Sequence, residues 1–582
     1  MASGEAAASR ASVQNSEHES PGNSEEQQPV EHFSSIESIY EYLGGAGRYN
    51  IAVLILMMLG KAFPGMITLS PNFTAAGMRF NCSSFSSSST TATTPTSLAT
   101  DNCTLDSSPP QQCWLVYNCS TSMSDEDKQI RLPCTQFSFR SDVFRETSVS
   151  RFELVCDRAW MAHLATTFYF IGFLVGCSFY GALADGFGRL KIIWISALNL
   201  SLCITAASFA PILWLYWSLQ LLAGFGNGGL LTCLYTYALE NTDTKHRAMW
   251  GFMVHNGWTL GLLIFTLMAY FERDYQKLLL YSGISMVLLL ILVPFLSESP
   301  RWLISTGRYE QADKVFHRIS RINRRPLRPD FSSRAIATSE QSIKTNKDAA
   351  RARVWQLFSR LGILRITLTN WSIFFGVSMA YFGLSLSVDS LGSDIFVNQI
   401  ILAAVEPFSR LVCLLLSFRF GRRPSIGLSF GLAALSLAAT GLLVLWPHLE
   451  TWRMVAAITG KFWITMAFDL SWLYAAELFP TALRSIGVGS SSTLARVGAL
   501  LSTLAQNLAS VWAPLPFLVF AAGPLVAVLL TVLCCLPETR GRRLPESVEE
   551  DDLFARGRMR AHSVSSDRQQ LDYSDDELSN AG

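Results

Sequence analysis

Twelve apolar stretches, each near the roughly 20 residues that a helix needs to cross a bilayer, recur along this 582-residue chain and limit what it can fold into. They run over 49–74, 160–182, 191–210, 212–238, 249–270, 277–297, 364–387, 394–418, 425–446, 452–475, 487–510 and 514–536. In hydrocarbon every backbone amide and carbonyl must be satisfied internally, so the stretches predict helices and an all-α membrane protein. Half of the residues are hydrophobic and only 16% are charged, a balance no ordinary soluble core requires. The formal net charge of +1 offers no basic field for nucleic acid. The lipid bilayer is the expected partner. The first 47 residues are rich in Ser, Glu and Gln and hold no apolar run long enough for a signal peptide, so the first span is expected to anchor the chain.

The placement of Lys and Arg sets an orientation. Residues 298–362 carry 14 of them, Arg422 and Arg423 follow the eighth span, and Arg540, Arg542 and Arg543 follow the twelfth, whereas the loops near 211 and 512 carry none. By the positive-inside rule both termini are expected in the cytoplasm of a multi-pass plasma-membrane protein. The organisation is then a tail (1–47), a six-helix half (48–297), a central loop (298–362), a second half (363–537) and a tail (538–582). Within the first half, 75–158 is expected outside the cell. It holds Cys82, Cys103, Cys113, Cys119, Cys134 and Cys156 with glycosylation sequons at Asn81, Asn102 and Asn118. Six cysteines in an oxidising, glycan-bearing compartment predict three disulfides, with all fifteen pairings open. Cys177, Cys203, Cys233, Cys413, Cys534 and Cys535 lie in spans and read as small packing residues.

An internal repeat supports two related halves. Asp185-Gly-Phe-Gly188-Arg189 is echoed by Phe418-Arg-Phe-Gly421-Arg422, the segment Glu240 to Arg247 by Glu477 to Arg484, and Glu298-Ser-Pro-Arg301 by Glu538-Thr-Arg540. The offsets are 233, 237 and 240, taken at Gly188, Glu240 and Glu298. A duplicated six-helix unit accounts for them, and such repeats enclose a midplane site. The acidic and basic residues are expected to pair between neighbouring helices as a cytoplasmic latch when the mouth is shut, with Glu477 opposite Arg484. Phe418 stands where Asp185 does in the first half, which predicts an asymmetric latch.

These residues resemble a family. Gly181-Ala-Leu-Ala-Asp185-Gly-Phe-Gly188-Arg189-Leu-Lys191 looks like the signature loop of the major facilitator superfamily. Leu154-Val-Cys156-Asp157, Glu298-Ser-Pro-Arg-Trp-Leu-Ile304, Ala476-Glu-Leu-Phe-Pro-Thr481 and Pro537-Glu-Thr-Arg-Gly-Arg-Arg-Leu-Pro545 narrow the resemblance to the organic ion transporters of solute carrier family 22. The resemblance spans about Ile36 to Ser547. It implies a twelve-helix major-facilitator-type fold that carries small organic ions by alternating access.

Ionisable groups at bilayer depth cost roughly 2.5–3.5 kcal/mol or more each, so each needs a partner or a task. Lys61, Arg410, Lys461 and Arg496 lie in spans, against Glu406 and Asp469. The surplus of two positive groups favours an organic anion over a cation. Arg496 has no acid within four residues, and its guanidinium suits a carboxylate or sulfonate. Arg410 lies four residues after Glu406, a spacing that can pair along one helix face. Lys461 and Lys61 can pack their stems and lean toward polar neighbours. The resemblance adds that Ser491-Ser-Thr-Leu-Ala-Arg496-Val-Gly498 matches the span-eleven string of the anion branch, where the arginine is linked to substrate, and that Arg410 falls on a basic position of that branch. Tyr381, Phe382, Phe468 and Trp472 resemble its aromatic pocket residues. Asn72-Phe-Thr-Ala-Ala76 resembles the end of its first helix, so Asn72 is expected at the substrate rather than under a glycan.

No phosphate-cradling Gly-x-x-x-x-Gly-Lys-[Ser/Thr] string occurs, and the glycines of Gly224-Phe-Gly226-Asn-Gly228-Gly229 fall inside a span, where they permit close helix packing. The first six spans lack an evident buried carboxylate for a proton relay, which favours exchange or facilitated movement. No nucleophile, base and orienting group converge, so no enzyme, cofactor or metal is expected. Two other readings stay open. One is a cation or carnitine-like zwitterion carrier that uses Asp469 or Glu406. The other is a non-transporting receptor or scaffold built on the outer loop. Arg558 and Arg560 before Ser563 form a kinase-like string in the C-terminal tail.

Overall fold

The computed structural model describes residues 33, 35–85, 103–105, 113–119, 128–328, 331–336, 338, 354–392, 394–480, 483–533 and 536–539. Arg540, Asn102, Cys534, Cys535 and the Ser563 string lie outside the described residues. The twelve apolar stretches correspond to helices α1 (Arg48–Thr68), α2 (Leu164–Phe187), α3 (Arg189–Ser208), α4 (Leu213–Glu240), α5 (Arg247–Phe271) and α6 (Tyr275–Ser285, continued by Val287–Leu292), then α7 (Leu361–Leu386), α8 (Ile395–Phe420), α9 (Arg422–Leu443), α10 (Glu450–Leu478), α11 (Arg484–Ala505) and α12 (Leu515–Leu533).

Eight of the described helical segments are long and apolar enough to cross a membrane on composition alone. The exceptions are α4, α10, α11 and α12. Gln220, Asn227, Thr232 and Thr236 make α4 polar; Arg453, Lys461 and Asp469 do so for α10; Ser490, Ser491, Ser492 and Arg496 do so for α11. Much of this polarity turns inward, whereas Leu202, Phe271, Leu415 and Leu435 stand at least 60% exposed on the outside of the bundle, the pattern of a lipid-facing surface.

Helices α1 to α6 pack on one another, as do α7 to α12, and the two groups meet mainly where α5 touches α8 and α2 touches α11. Glycine lets α2 and α4 approach backbone to backbone. A Cβ at Gly172 would lie 1.9 Å from the Leu221 carbonyl oxygen, and one at Gly224 would lie 1.9 Å from that of Tyr169. Gly228 approaches Phe173 in the same way, Gly226 meets the α3 backbone at Leu200 and Gly229 the Tyr180 ring, so all four glycines of the 224–229 run serve the packing expected of them.

Between α1 and α2 the outer loop adds a feature that a purely helical reading lacks. Strands β1 (Phe80–Phe85), β2 (Cys103–Leu105), β3 (Trp114–Cys119) and β4 (Lys128–Phe139) form an antiparallel sheet in the order β1-β4-β3-β2. Disulfides join Cys82 to Cys134 and Cys113 to Cys156. Backbone register sets Cys103 opposite Cys119. Asn81 lies on β1 and Asn118 on β3.

At the opposite end, three short helices cover the first half: Ile36–Tyr42, Pro300–Ser305 and Tyr309–Asn323. Side chains that reach backbone carbonyls are among their contacts. The Tyr42 hydroxyl donates to the Pro326 carbonyl at 2.8 Å, and Arg325 donates to that of Tyr42 at 2.6 Å.

Candidate functional site

Two charge clusters of matching design stand at this covered end, one per half. In the first, Arg189 donates to Glu240 at 2.9–3.3 Å and to Asp185 at 2.6 Å. Glu298 accepts from the Leu190 amide at 3.1 Å, capping α3. In the second, Arg422 donates to Glu477 at 3.1–3.3 Å, and Glu538 accepts the Arg422 and Arg423 amides at 2.9 Å, capping α9. The residue before each cap has a left-handed backbone, Gly188 at φ +109° and Gly421 at φ +94°. A Cβ there would meet Glu298 at 2.6 Å or Glu538 at 2.9 Å, so glycine serves both turn and cap. Burial pushes the Glu298 carboxyl above its ordinary range despite the amides it accepts.

These residues staple helices within a half. Glu477 is held by Arg422, and the expected Glu477–Arg484 pair is not formed: Nε and Nη2 of Arg484 have no hydrogen-bond partner. Glu477 is instead taken by Arg422 at the start of α9. Arg247 likewise misses Glu240 and reaches Glu37 at 3.5 Å. Glu37, from the short N-terminal helix, also takes Arg301 at 2.6 and 3.0 Å, while Arg301 donates to the Glu240 and Thr242 carbonyls. The asymmetry expected from Phe418 amounts to one missing ion pair, since Arg422 keeps Glu477 without it.

Between the halves lies a cavity of 640 Å³, within the range that accommodates a drug-sized ligand. It extends to the end where Glu240, Arg247, Arg301 and Arg484 stand. The sheet end is shut by contacts between halves. Asn72 Nδ2 donates to the Ser385 carbonyl at 2.7 Å and to Gln399 Oε1 at 2.9 Å, Phe73 stacks on Phe396 at 5.5 Å, and the Thr167 and Thr503 hydroxyls bond at 2.9 Å. Asn72, expected at the substrate, is thus built into this closure and does not line the cavity.

Tyr381, Phe382, Phe468 and Trp472 do line it, with Phe173, Tyr235 and Trp258 from the first half. Tyr381 receives a hydrogen bond from Trp258 Nε1 at 3.0 Å and donates to Glu406 at 2.5 Å, so an aromatic wall is oriented by the charges behind it. Glu406 is fully buried. It binds Lys461 at 2.9 Å and Arg410 at 3.1 Å and accepts the Thr259 hydroxyl at 2.6 Å. Arg410 donates across the halves to Asn256 at 3.0 Å and Thr259 at 2.9 Å, and lies 3.5 Å from Asp469. Lys461 also donates to Ser385 at 2.7 Å and sits 3.6 Å above the Tyr381 ring, behind the cavity wall. Two acids therefore hold two of the four cations.

The other two are Lys61 and Arg496. Lys61 lies over the Tyr235 ring at 5.1 Å and Arg496 over Phe173 at 5.1 Å, with one long bond from Arg496 to the Ser492 carbonyl at 3.4 Å. Neither has a carboxylate within ion-pair distance among the described residues. Both line the cavity. The surplus is visible in the sequence, whereas the place of Lys61 on the cavity wall is not, and Glu37, Asn256 and Thr259 carry no isolated sequence signal.

Comparison with known proteins accords with this architecture. A family model described as "Sugar (and other) transporter" matches residues 112–550. Solute carrier family 22 member 7 of Rattus norvegicus is 30% identical over 544 residues, covering 88% of this chain and 97% of that protein. The chain belongs to solute carrier family 22. The Homo sapiens member 7 is 32% identical over 435 residues, covering 73% and 77%, and member 6-B of Xenopus laevis is 28% identical over 538 residues, covering 89% and 94%. Among solved structures, the xylose transporter XylE from E. coli in an inward open conformation superposes with a TM-score of 0.59 at 14% identity, covering 86% of this chain and 99% of that one. That likeness establishes the major facilitator fold for this family 22 protein. It is a multi-pass membrane transporter of small organic ions.

Proposed function

We propose that this family 22 transporter carries small organic anions across the plasma membrane by alternating access, through exchange or facilitated movement, with both termini cytoplasmic. The observation that carries the reading is the pair Lys61 and Arg496, cavity cations without a carboxylate. Water exclusion strengthens their field, so an anion gains by entering and a cation loses. Arg496 is the principal anion ligand, and Tyr381, Phe382, Phe468 and Trp472 receive the planar body of the substrate. Arg410 on the cavity wall and Lys461 behind it hold Glu406, and Arg410 also holds Asp469. On this orientation the shut sheet end faces outward and the cavity is open to the cytoplasm. Asn72 then acts as an outer gate, and the clusters around Arg189 and Arg422 keep each half rigid as it rocks.

Asp469 favours a second reading. Its Oδ2 has no hydrogen-bond partner, which would suit the positive group of a zwitterion. Uptake by expressing cells of labelled aromatic anions, cations and zwitterions decides between them. Saturable uptake of anions alone supports the proposal. Uptake of cations or zwitterions without anions overturns it, and surface-expressed protein that moves none of them would support the receptor reading.

A further inference from the structure

Away from the space between the halves, the covered end of the first half holds a second concavity, of 660 Å³. Three segments distant in the chain build it: the loop 43–48 that leads into α1, Asp243 with Lys245 and His246 between α4 and α5, and Asn323 with Arg325 at the end of the Tyr309–Asn323 helix. Its floor is fixed. Asn323 donates to the Leu43 carbonyl at 2.8 Å and accepts the Tyr49 amide at 2.9 Å, while Gly45 and Gly47 let the loop settle on Asp243 and Asn323, where a Cβ would collide. Each segment contributes one exposed cation, Arg48, Lys245 and Arg325. The acids that face them are Glu41 and Asp243. Asp243 is buried and taken by His246 at 2.8 Å, which leaves Glu41 as the one acid open to this space among the described residues. Neither Arg48 nor Lys245 has a carboxylate within ion-pair distance among the described residues, and Arg325 spends one amino group on the Glu41 and Tyr42 carbonyls.

The surroundings of the concavity point to its occupant. On one side its wall includes Ile51, 46% exposed, and Ile55 and Leu59 follow at 48% and 42% with four-residue spacing on the same face of α1. The concavity therefore opens onto the lipid-facing stripe of a span. On the other side it continues into a basic strip: residues 308–328 carry seven Lys and Arg against two acids, and Lys314, Arg321, Arg324 and Arg328 stand exposed. Arg318 donates to the Phe295 carbonyl at 3.1 Å and to Ser297 at 2.9 Å, which fixes the strip at the end of α6, where Phe295 is itself exposed. A basic cluster of this size beside a span attracts anionic lipid headgroups. The charges alone would draw any phosphate compound, whereas the apolar stripe next to them favours a molecule with acyl chains.

We propose that this concavity binds an anionic membrane phospholipid whose headgroup bears extra phosphates, a phosphoinositide, with its phosphates on Arg48, Lys245 and Arg325 and its chains along Ile51, Ile55 and Leu59. On the orientation proposed above the lipid comes from the inner leaflet, but binding to the purified chain does not depend on that orientation. The bound headgroup bridges the N-terminal segment to the turn after α4 and to the Tyr309–Asn323 helix, and so braces the covered end of the first half.

The test is equilibrium binding of a fluorescent dioctanoyl phosphatidylinositol 4,5-bisphosphate to the purified full chain in phosphatidylcholine nanodiscs, read against empty nanodiscs. Unlabelled lipid of the same kind is expected to compete at least tenfold better than dioctanoyl phosphatidylserine or free inositol 1,4,5-trisphosphate, since only it offers both several phosphates and chains. Arg48→Gln and Lys245→Gln are each expected to weaken binding about fivefold, and the double variant about 25-fold. Arg321→Gln/Arg324→Gln, on the strip but outside the concavity, should leave binding within about twofold, because charges away from the contact are screened. All four side chains are exposed, so the variants are expected to keep the parent's melting temperature. Equal competition by phosphatidylserine would reduce the site to a diffuse basic surface, and equal competition by the free trisphosphate would make it a site for soluble phosphates. Either result overturns the proposal, as does a parent that binds no lipid, and the competition series needs no variant. An equal loss in the strip variant and in Arg48→Gln/Lys245→Gln overturns the assignment to this concavity. Bound lipid is also expected to slow proteolysis near residue 40, and cleavage at an unchanged rate would overturn the brace.

Discussion

Replacing Arg496 with alanine removes a cation that holds no carboxylate, so no buried acid is orphaned and the fold is expected to survive. At about 4 Å and an effective dielectric near 20, a guanidinium and a bound carboxylate attract by about 4 kcal/mol. After desolvation about 2–3 kcal/mol remains, equivalent to a rise in KM of about 30- to 150-fold. Arg496→Lys keeps the charge but loses the paired donors, and is expected to fall between the two. Arg410→Ala provides the contrast. It would strand Asp469 and leave Glu406 with Lys461 alone, in a site where removing one partner costs about 3–5 kcal/mol of stability. Surface biotinylation combined with saturation uptake separates the two effects: Arg496→Ala reaches the surface and transports poorly, whereas Arg410→Ala is depleted from it. Near-parental uptake by Arg496→Ala, or depletion equal to that of Arg410→Ala, would remove Arg496 from the role of anion ligand.

Gly224→Ala drives a Cβ into the Tyr169 carbonyl and is expected to cost about 1–3 kcal/mol or more, seen as a lower melting temperature of the purified protein; an unchanged melting temperature would mean α2 and α4 can part freely. Glu477→Arg should be rescued by Arg422→Glu and not by Arg484→Glu, with uptake of singles and doubles as the readout, since the staple joins α9 to α10. Burial opposes ionisation of Glu37, but its ion pairs with Arg301 and Arg247 outweigh that and hold its carboxyl below the ordinary 4.5. The tie of the N-terminal helix is therefore complete above that value and lost as pH falls through the lowered one. Proteolysis near residue 40 should accelerate only below about pH 4.5, and Glu37→Gln should be equally cleavable at neutral pH.

The helices were legible because apolarity is a local signal: the stretch 191–210 became Arg189–Ser208, and 394–418 became Ile395–Phe420. The surplus of two cations was legible too, because a count does not depend on geometry. Partner choice was not. Glu477 and Arg484 stand seven positions apart, a spacing that suggests pairing, yet Arg422 of α9, distant in the chain, is the partner that holds Glu477. Lys61 looked like a packed stem because nothing in its own span shows that Tyr235 and Arg496 share a cavity with it. Asn72 was placed near the substrate by its neighbourhood in the chain, whereas its partners Ser385 and Gln399 lie more than 300 residues away and make it part of the closure. Cys103 and Cys119 mark the β2–β3 register of the four-stranded sheet, but cysteine spacing alone does not announce a strand.

On the anion reading, Lys61 and Arg496 give the cavity its positive character. Equilibrium binding to the purified, detergent-solubilised protein tests it most directly, using two rigid aromatic probes of one shape, one bearing a carboxylate and one an ammonium group. The parent is expected to bind the anion at least tenfold more tightly, and the double variant Lys61→Gln/Arg496→Gln to lose that preference. Equal binding of the two probes by the parent, or tighter binding of the cation, would contradict the account.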